Sequence, residues 1–193
     1  MLFSKSYTKQ SDEELMGLLQ RGEERALVQL YERYSKKLLR YFHRMLWRNE
    51  ARAQDFLQDL FMKVIEQPQL FNPNRKFSTW LYSVAHNMCK NEYRKQKLRP
   101  SAEQNNIDPS YIQLIPEAMD GVKFKVALEE VLNLFEEDYK TIFVLRYEME
   151  MSVKEISVIM DVPEGSVKSK LFYLRKNLSE RLVIFNPLKS KAL

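Results

Sequence analysis

The sequence predicts an all-α protein of two small helical domains joined by a flexible linker, with a helix-turn-helix in the C-terminal domain. Apolar residues recur at intervals of three and four through eight separate segments, the period of a helix face turned toward a core. The strict alternation of half-buried strands is nearly absent. A polar stretch punctuated by Pro100, Pro109 and Pro116 and ending at Gly121 keeps no helical period. It reads as a linker over 98–121, between a first domain at 12–97 and a second at 122–184.

The first helix opens at Ser11-Asp12-Glu13-Glu14. This is a capping box, in which the Ser11 hydroxyl and the Glu14 carboxylate accept hydrogen bonds from backbone amides that the helix leaves unpaired. Gly22 marks a break before a long helix with Leu27, Leu30, Tyr31, Tyr34, Leu38, Phe42, Met45 and Leu46 on its apolar side. A third helix repeats the spacing with Ala53, Phe56, Leu57, Leu60, Phe61, Val64 and Ile65, and it stops near Pro68 and Pro73. The loop over 67–76 leads into FSTWLYSVAHNMCKNEYRKQK, a fourth helix that Ser78 or Thr79 can cap. Its expected buried stripe is Phe77, Leu81, Val84, Ala85, Met88 and Cys89. After the linker, residues 122–135, 137–147, 153–160 and 163–182 read as four more helices, and the residues after Pro187 as a short basic tail.

A chain of 193 residues with 45% hydrophobic content is long and apolar enough to fold. No apolar run exceeds four residues, so neither a membrane span nor the apolar centre of a secretion signal is expected, and the expected location is cytoplasmic. One cysteine, Cys89, and two histidines give no disulfide framework and no metal-ligand spacing. No metal, cofactor or catalytic group is expected. Cys89 reads as a small core residue. The net charge of +5 is uneven: +8 over 1–100, −6 over 101–140 and +3 over 141–193. Two basic ends flanking an acidic middle suit two polyanion-facing modules, although solvated helix faces produce the same tally.

Three faces stand apart from the core stripes. In SVKEISVIMDVPEGSVKSKLFYLRKNL, the apolar residues Ile156, Ile159 and Met160, a tight turn at Asp161 and Val162, and then Val167, Leu171 and Leu174 match the spacing of a helix-turn-helix. The turn carries Asp161 where many such motifs have glycine, and aspartate tolerates the left-handed backbone required there. Pro163 suits the start of the second helix, and Gly165 lets a phosphate approach its amides. The second helix exposes Lys168, Ser169, Phe172, Tyr173 and Lys176, side chains able to reach phosphates, base edges or a thymine methyl in the major groove. A generic helical hairpin shares the apolar spacing. On the third helix, Asp55, Gln58, Asp59, Met62 and Lys63 form a polar face, but no nucleophile, Gly-rich loop or metal ligand accompanies the carboxylates to suggest catalysis. On the fourth, Tyr82, Ser83, His86, Asn87, Lys90, Asn91 and Arg94 lie away from the stripe. Cations there can track the phosphates of a single strand, and amides can read unstacked bases.

Together these segments resemble a bacterial RNA polymerase sigma factor of the extracytoplasmic-function type, the fourth group of the sigma-70 family. ALVQLYERYSKKLLRYFHRML, DFLQDLFMKV, FSTWLYSVAHNMCKNEYRK and EEDYKTIFVLRYEMEMSVKEISVIMDVPEGSVKSKLFYLRKNL occur in that family's order, and the resemblance covers about residues 12–182. It implies an alternative sigma factor, non-enzymatic, that brings core RNA polymerase to promoter DNA. Residues 12–97 would be the region 2 domain, which opens and reads the minus-10 element. Residues 122–184 would be the region 4 domain, which reads the minus-35 element as duplex. By the same resemblance Asp55, Gln58, Asp59 and Lys63 dock on the polymerase clamp helices. Asn87 meets a base flipped from the melted strand, with Asn72 and Arg75 in the loop closing over it and His86, Lys90, Asn91 and Arg94 alongside. His86 beside Asn87 departs from the family's pocket, so base preference does not transfer. The family also implies an anti-sigma factor that masks both domains. Trp80 stays open between a buried anchor and a ring stacked on DNA. A free-standing helix-turn-helix regulator and an all-helical adaptor remain the rival readings.

Overall fold

Every regular element among the described residues is helical. The computed structural model describes residues 7–98 and 120–183. Of the expected linker over 98–121, residues 99–119 lie outside the described residues, and so does the basic tail. Eight α-helices follow in order: α1 (Asp12–Gln20), α2 (Arg25–Met45), α3 (Glu50–Glu66), α4 (Phe77–Lys97), α5 (Asp120–Asn133), α6 (Glu137–Phe143), α7 (Val153–Met160) and α8 (Glu164–Arg181). They fall into two compact units: α1 to α4, with which residues 154–161 are grouped, and α5, α6 and α8 with their connections.

The capping box forms as the sequence predicts, with Ser11 N donating to Glu14 Oε2 at 2.7 Å and Glu14 N to Ser11 Oγ at 3.2 Å. Gly22, at φ 87°, takes the left-handed turn that separates α1 from α2. Ring contacts of Tyr31 with Phe61 and of Phe42 with Phe56 show that α2 and α3 run antiparallel. Leu30, Leu38, Phe42, Leu57, Leu60, Val64, Phe77, Leu81 and Ala85 bury the first core, each large side chain contributing about 1.5–3 kcal/mol. Asn49 caps α3 by accepting from Arg52 N at 3.0 Å.

The cap of α4 is a correction. Neither Ser78 nor Thr79 serves. The helix begins at Phe77, and the Phe77 amide donates to Glu13 Oε1 of α1 at 2.8 Å. A carboxylate 64 residues away in sequence thus does what a local hydroxyl was expected to do.

In the second unit the predicted helix over 137–147 divides. After Phe143 the chain widens into a π-helical turn, Val144–Glu148, closed by Met149 N donating to Val144 O at 3.0 Å. Arg146 Nη1 donates to Met151 O at 2.8 Å and fixes the exit from that turn. The helix α5 starts at Asp120, inside the stretch assigned to the linker. Pro163 stands just before α8 and not within it. The turn between α7 and α8 holds Asp161 at φ 55°, the left-handed conformation expected there.

Candidate nucleic-acid and polymerase interfaces

The α4 helix divides into two faces, but the dividing line is not where the stripe of apolar residues put it. Tyr82 and His86, assigned to the outer face, are buried, and His86 is only 7% exposed. They stand four residues apart on the flank that turns toward α2, where Tyr82 meets Tyr41 edge to face at 5.5 Å. Burial holds the Tyr82 hydroxyl well above the ordinary phenol range, so it stays neutral. Val84 and Met88, expected in the core, are half-buried. What remains exposed is Asn87, Lys90, Asn91 and Arg94, a spacing of three, one and three that places them on one side of the helix. Arg94 donates to Asn91 Oδ1 at 3.3 Å, while Asn87 and Lys90 make no side-chain bond within the described residues. Arg94, Lys95 and Lys97 occupy the last turn, where the helix dipole favours cations. The result is a short cationic ramp with amides beside it.

The loop leading into this face is built, not loose. Phe71 is buried, with its ring 5.6 Å from Phe77 and 5.4 Å from Trp80. The Asn72 side-chain oxygen accepts from Asn74 N at 2.9 Å, and Asn72 O accepts from Arg75 N at 2.9 Å, an Asx turn. Asn72 and Arg75 are both exposed beside the start of α4. Trp80 is half-buried, and its ring also lies 5.8 Å from Phe77. It belongs to the aromatic cluster that anchors the loop.

On α3, Asp55, Gln58, Asp59 and Lys63 are all exposed, and none has a side-chain hydrogen bond or ion pair within the described residues. Met62 lies in the same row and is 53% exposed. The face therefore offers two carboxylates, an amide, an ammonium and a thioether, with no side-chain hydrogen bond or ion pair among the described residues.

On α8, Val167, Leu171 and Leu174 are buried and Lys168, Ser169, Phe172 and Lys176 point outward. Phe172 is 69% exposed, and Tyr173 beside it 51%. Tyr173 is thus exposed as expected. Its ring also packs 5.7 Å from Tyr139 of α6 and 6.4 Å from Phe135. It stands on the flank that also carries Lys170, whose ammonium binds Asp138 at 2.6 Å and sits 5.2 Å from the Tyr139 ring centre. These contacts tie α8 to α6, with Tyr173 at the edge of the outward row.

Comparison with known proteins follows the same division. The sigma-70 region 2 family model matches residues 30–99 and the sigma-70 region 4 model matches 125–178. The two together span well over half of the chain. The protein belongs to the sigma-70 family, as an extracytoplasmic-function sigma factor. Among its relatives, the extracytoplasmic-function RNA polymerase sigma factor SigW of Bacillus subtilis is 29% identical, over 85% of this chain and 92% of its own. The extracytoplasmic-function sigma-E factor of Haemophilus influenzae is 26% identical, over 89% and 95%. Of solved structures, CnrH in complex with the cytosolic domain of CnrY shares the fold at a TM-score of 0.67 and 21% identity, covering 90% of this chain and 97% of that one. The sigma factor RpoE of Bartonella quintana, in complex with the anti-sigma factor NepR, does so at 0.58 and 22%, covering 80% and 97%.

One polar cluster of the sigma factor escaped sequence reasoning. Trp47 and Arg48 end α2 with successive left-handed residues at φ 50° and 60°. There the Arg52 guanidinium lies 6.0 Å from the Trp47 ring centre and pairs with the Glu92 carboxylate, which is 8% exposed. Next to Glu92, Tyr93 donates its hydroxyl to Met45 O. The cluster fixes the far half of α4, and so the cationic ramp, against α2 and α3. Only Glu92, an acid among Lys90, Arg94, Lys95 and Lys97, signals it in the sequence. Cys89 is buried, and burial followed by the charge of Glu92 pushes its thiol far above the ordinary range. It is a core residue. Among the described residues no cluster of three metal-ligating side chains occurs, and no helix is long and apolar enough to cross a membrane.

Proposed function

We propose that this alternative sigma factor places core RNA polymerase on promoters through three surfaces, each carried by one helix. In this reading residues 12–97 form the minus-10 domain, 122–184 the minus-35 domain, and 98–121 the span between them. The face Asp55, Gln58, Asp59 and Lys63, with Met62 in its row, docks on the polymerase. Lys168, Ser169, Phe172, Tyr173 and Lys176 enter the major groove of the minus-35 element as duplex. Asn87, Lys90, Asn91 and Arg94 hold the melted minus-10 strand, with Asn72 and Arg75 closing over an unstacked base. His86 has no place on that face because its ring is buried, and Tyr173 also braces α8 against Tyr139.

The observation that carries the reading is the exposed row on α4 beside a prefolded loop. Lys90 and Arg94 supply phosphate contacts, and the Asn87 amide has donors and an acceptor unspent within the described residues. Capturing an unstacked base offsets the few kcal/mol that unpairing costs. A free-standing duplex-binding regulator has no use for such a row. In this reading the protein acts by binding, and the polymerase supplies catalysis. Promoter binding should weaken with salt, with a logarithmic slope of about 0.9 per neutralised phosphate.

A solved protein of like fold is held by the anti-sigma factor NepR, and we assign this chain a partner of the same kind. Such a partner would mask the α3 and α8 faces until released. Co-purification from unstressed cells that brings down polymerase alone would count against it. The function itself is tested by transcription in vitro with core polymerase on fragmented genomic DNA, followed by sequencing of RNA 5′ ends. Initiation at a recurring pair of elements that depends on this protein is the expected result. Its absence on every template, with duplex binding retained by the free protein, would establish the regulator reading instead.

A further inference from the structure

We propose that α1 is the brace that sets the geometry of the base-capturing loop, with Gln20 as its positioning residue. The inference rests on the reading of α4 and its loop given above and extends it to a helix that touches no DNA in that reading. Gln20 is exposed at the end of α1, yet both hydrogens of its amide nitrogen are committed. One goes to Pro68 O at 2.9 Å and the other to Phe71 O at 3.0 Å. A single side chain thereby closes the one-turn helix Pro68–Leu70 from outside, across about 50 residues of sequence. Seven residues earlier on the same helix, Glu13 accepts from the Phe77 amide at 2.8 Å.

Two anchors seven residues apart lie two turns apart on one face, roughly 10 Å along the helix at 1.5 Å per residue. They hold the chain at Phe71 and at Phe77. Residues 72–76 between them are tied at both ends, and they turn instead of running extended, with Asn72 O accepting from Arg75 N at 2.9 Å. The Asx turn at Asn72 shapes the arch, and Asn72 and Arg75, which would close over the base, stand upon it. A loop already arched loses little further freedom when it takes up a base. A slack loop would have to be ordered at the moment of opening, which lowers the yield of captured strand. Gln20 lies outside the core, and its side-chain bonds go to the backbone of this loop.

The test uses the full chain in holoenzyme with core polymerase, on a promoter obtained from the 5′-end sequencing above. The fragments carry 2-aminopurine at single minus-10 positions of the non-template strand. Gln20→Glu keeps the shape but removes both donors and turns oxygen toward two carbonyls; Gln20→Lys restores a donor. Thermal unfolding of each variant controls for folding. Gln20→Glu is expected to bind core polymerase and closed promoter within about twofold of the parent, and to open it about tenfold less, the equivalent of losing two hydrogen bonds. Discrimination among bases at the captured position should flatten, and Gln20→Lys should recover most of the loss. Opening and base discrimination equal to the parent in Gln20→Glu, with Asn87→Ala impaired, would overturn the brace alone. If neither variant affects opening, the reading of α4 falls and the brace with it. A loss in Gln20→Glu explained wholly by a lower melting temperature, and not recovered by Gln20→Lys, would make the residue merely structural.

Discussion

Replacing Trp80 by alanine separates a packing role from a DNA-stacking role. The indole is half-buried, with its ring 5.4 Å from Phe71 and 5.8 Å from Phe77. A fully buried tryptophan or phenylalanine truncated to alanine costs about 3–5 kcal/mol. Half burial reduces this to about 2, and the loss of two aromatic contacts restores about 0.5–1. A destabilisation of about 2–3 kcal/mol in a helical unit of this size lowers the melting temperature by on the order of 10–20 °C. Circular dichroism at 222 nm during heating measures it, and Trp80→Phe should lose less than half as much. The loop should loosen too, so promoter opening should fall at temperatures where the domain is still folded. A melting temperature within about 2 °C of the parent, with opening reduced by the 5- to 150-fold of a lost stacking partner, would refute the packing argument.

Three further outcomes follow from the structure. Gln58→Ala combined with Asp59→Arg should weaken core-polymerase affinity at least tenfold, measured by fluorescence anisotropy, with thermal stability unchanged because both residues lie exposed on α3; undiminished affinity would make that face mere solvated surface. Glu92→Ala leaves Arg52 without its carboxylate in a partly buried site and should cost about 1–3 kcal/mol in urea unfolding. Cys89 supplies a pH test: its thiol is raised by burial in the folded protein, so above the ordinary thiol pKa of about 8.5 the unfolded chain releases a proton that the folded one retains. Stability is then full below that pH and falls between about pH 8.5 and 10 by on the order of 1–2 kcal/mol. Cys89→Ala should flatten the decline, and an equal decline in that variant would show that another group is responsible.

The helices were legible because their stripes are long and regular, and the caps were legible where partners are adjacent. Ser11 with Glu14, and Asp161 in its left-handed turn, need no knowledge of the rest of the chain. What could not be read depends on distant partners. Ser78 and Thr79 were plausible local caps, but Glu13 of α1 was placed by folding where the Phe77 amide emerges. An apolar stripe on α4 gives the direction of the core but not which flank α2 will cover. Tyr82 and His86, amphipathic side chains on that border, went to the wrong side. Tyr173 is exposed as its place on α8 predicts, and only its ring contacts with Tyr139 and Phe135, which come from distant partners, were not legible. The rows Asn87-Lys90-Asn91-Arg94 and Lys168-Ser169-Phe172-Tyr173-Lys176 are exposed as expected, because each lies away from the core side of its helix and not on the border of the stripe.

The central claim is that these two rows serve two different states of the promoter. One measurement tests it most directly: holoenzyme affinity for a closed duplex promoter and for a premelted minus-10 fork, compared between Asn87→Ala/Arg94→Ala and Lys168→Ala/Phe172→Ala. The account predicts that the first pair binds closed duplex like the parent and loses affinity for the fork. The second should lose closed-duplex binding while a fork lacking the minus-35 element is held as before. Equal losses by both pairs on both probes would contradict it.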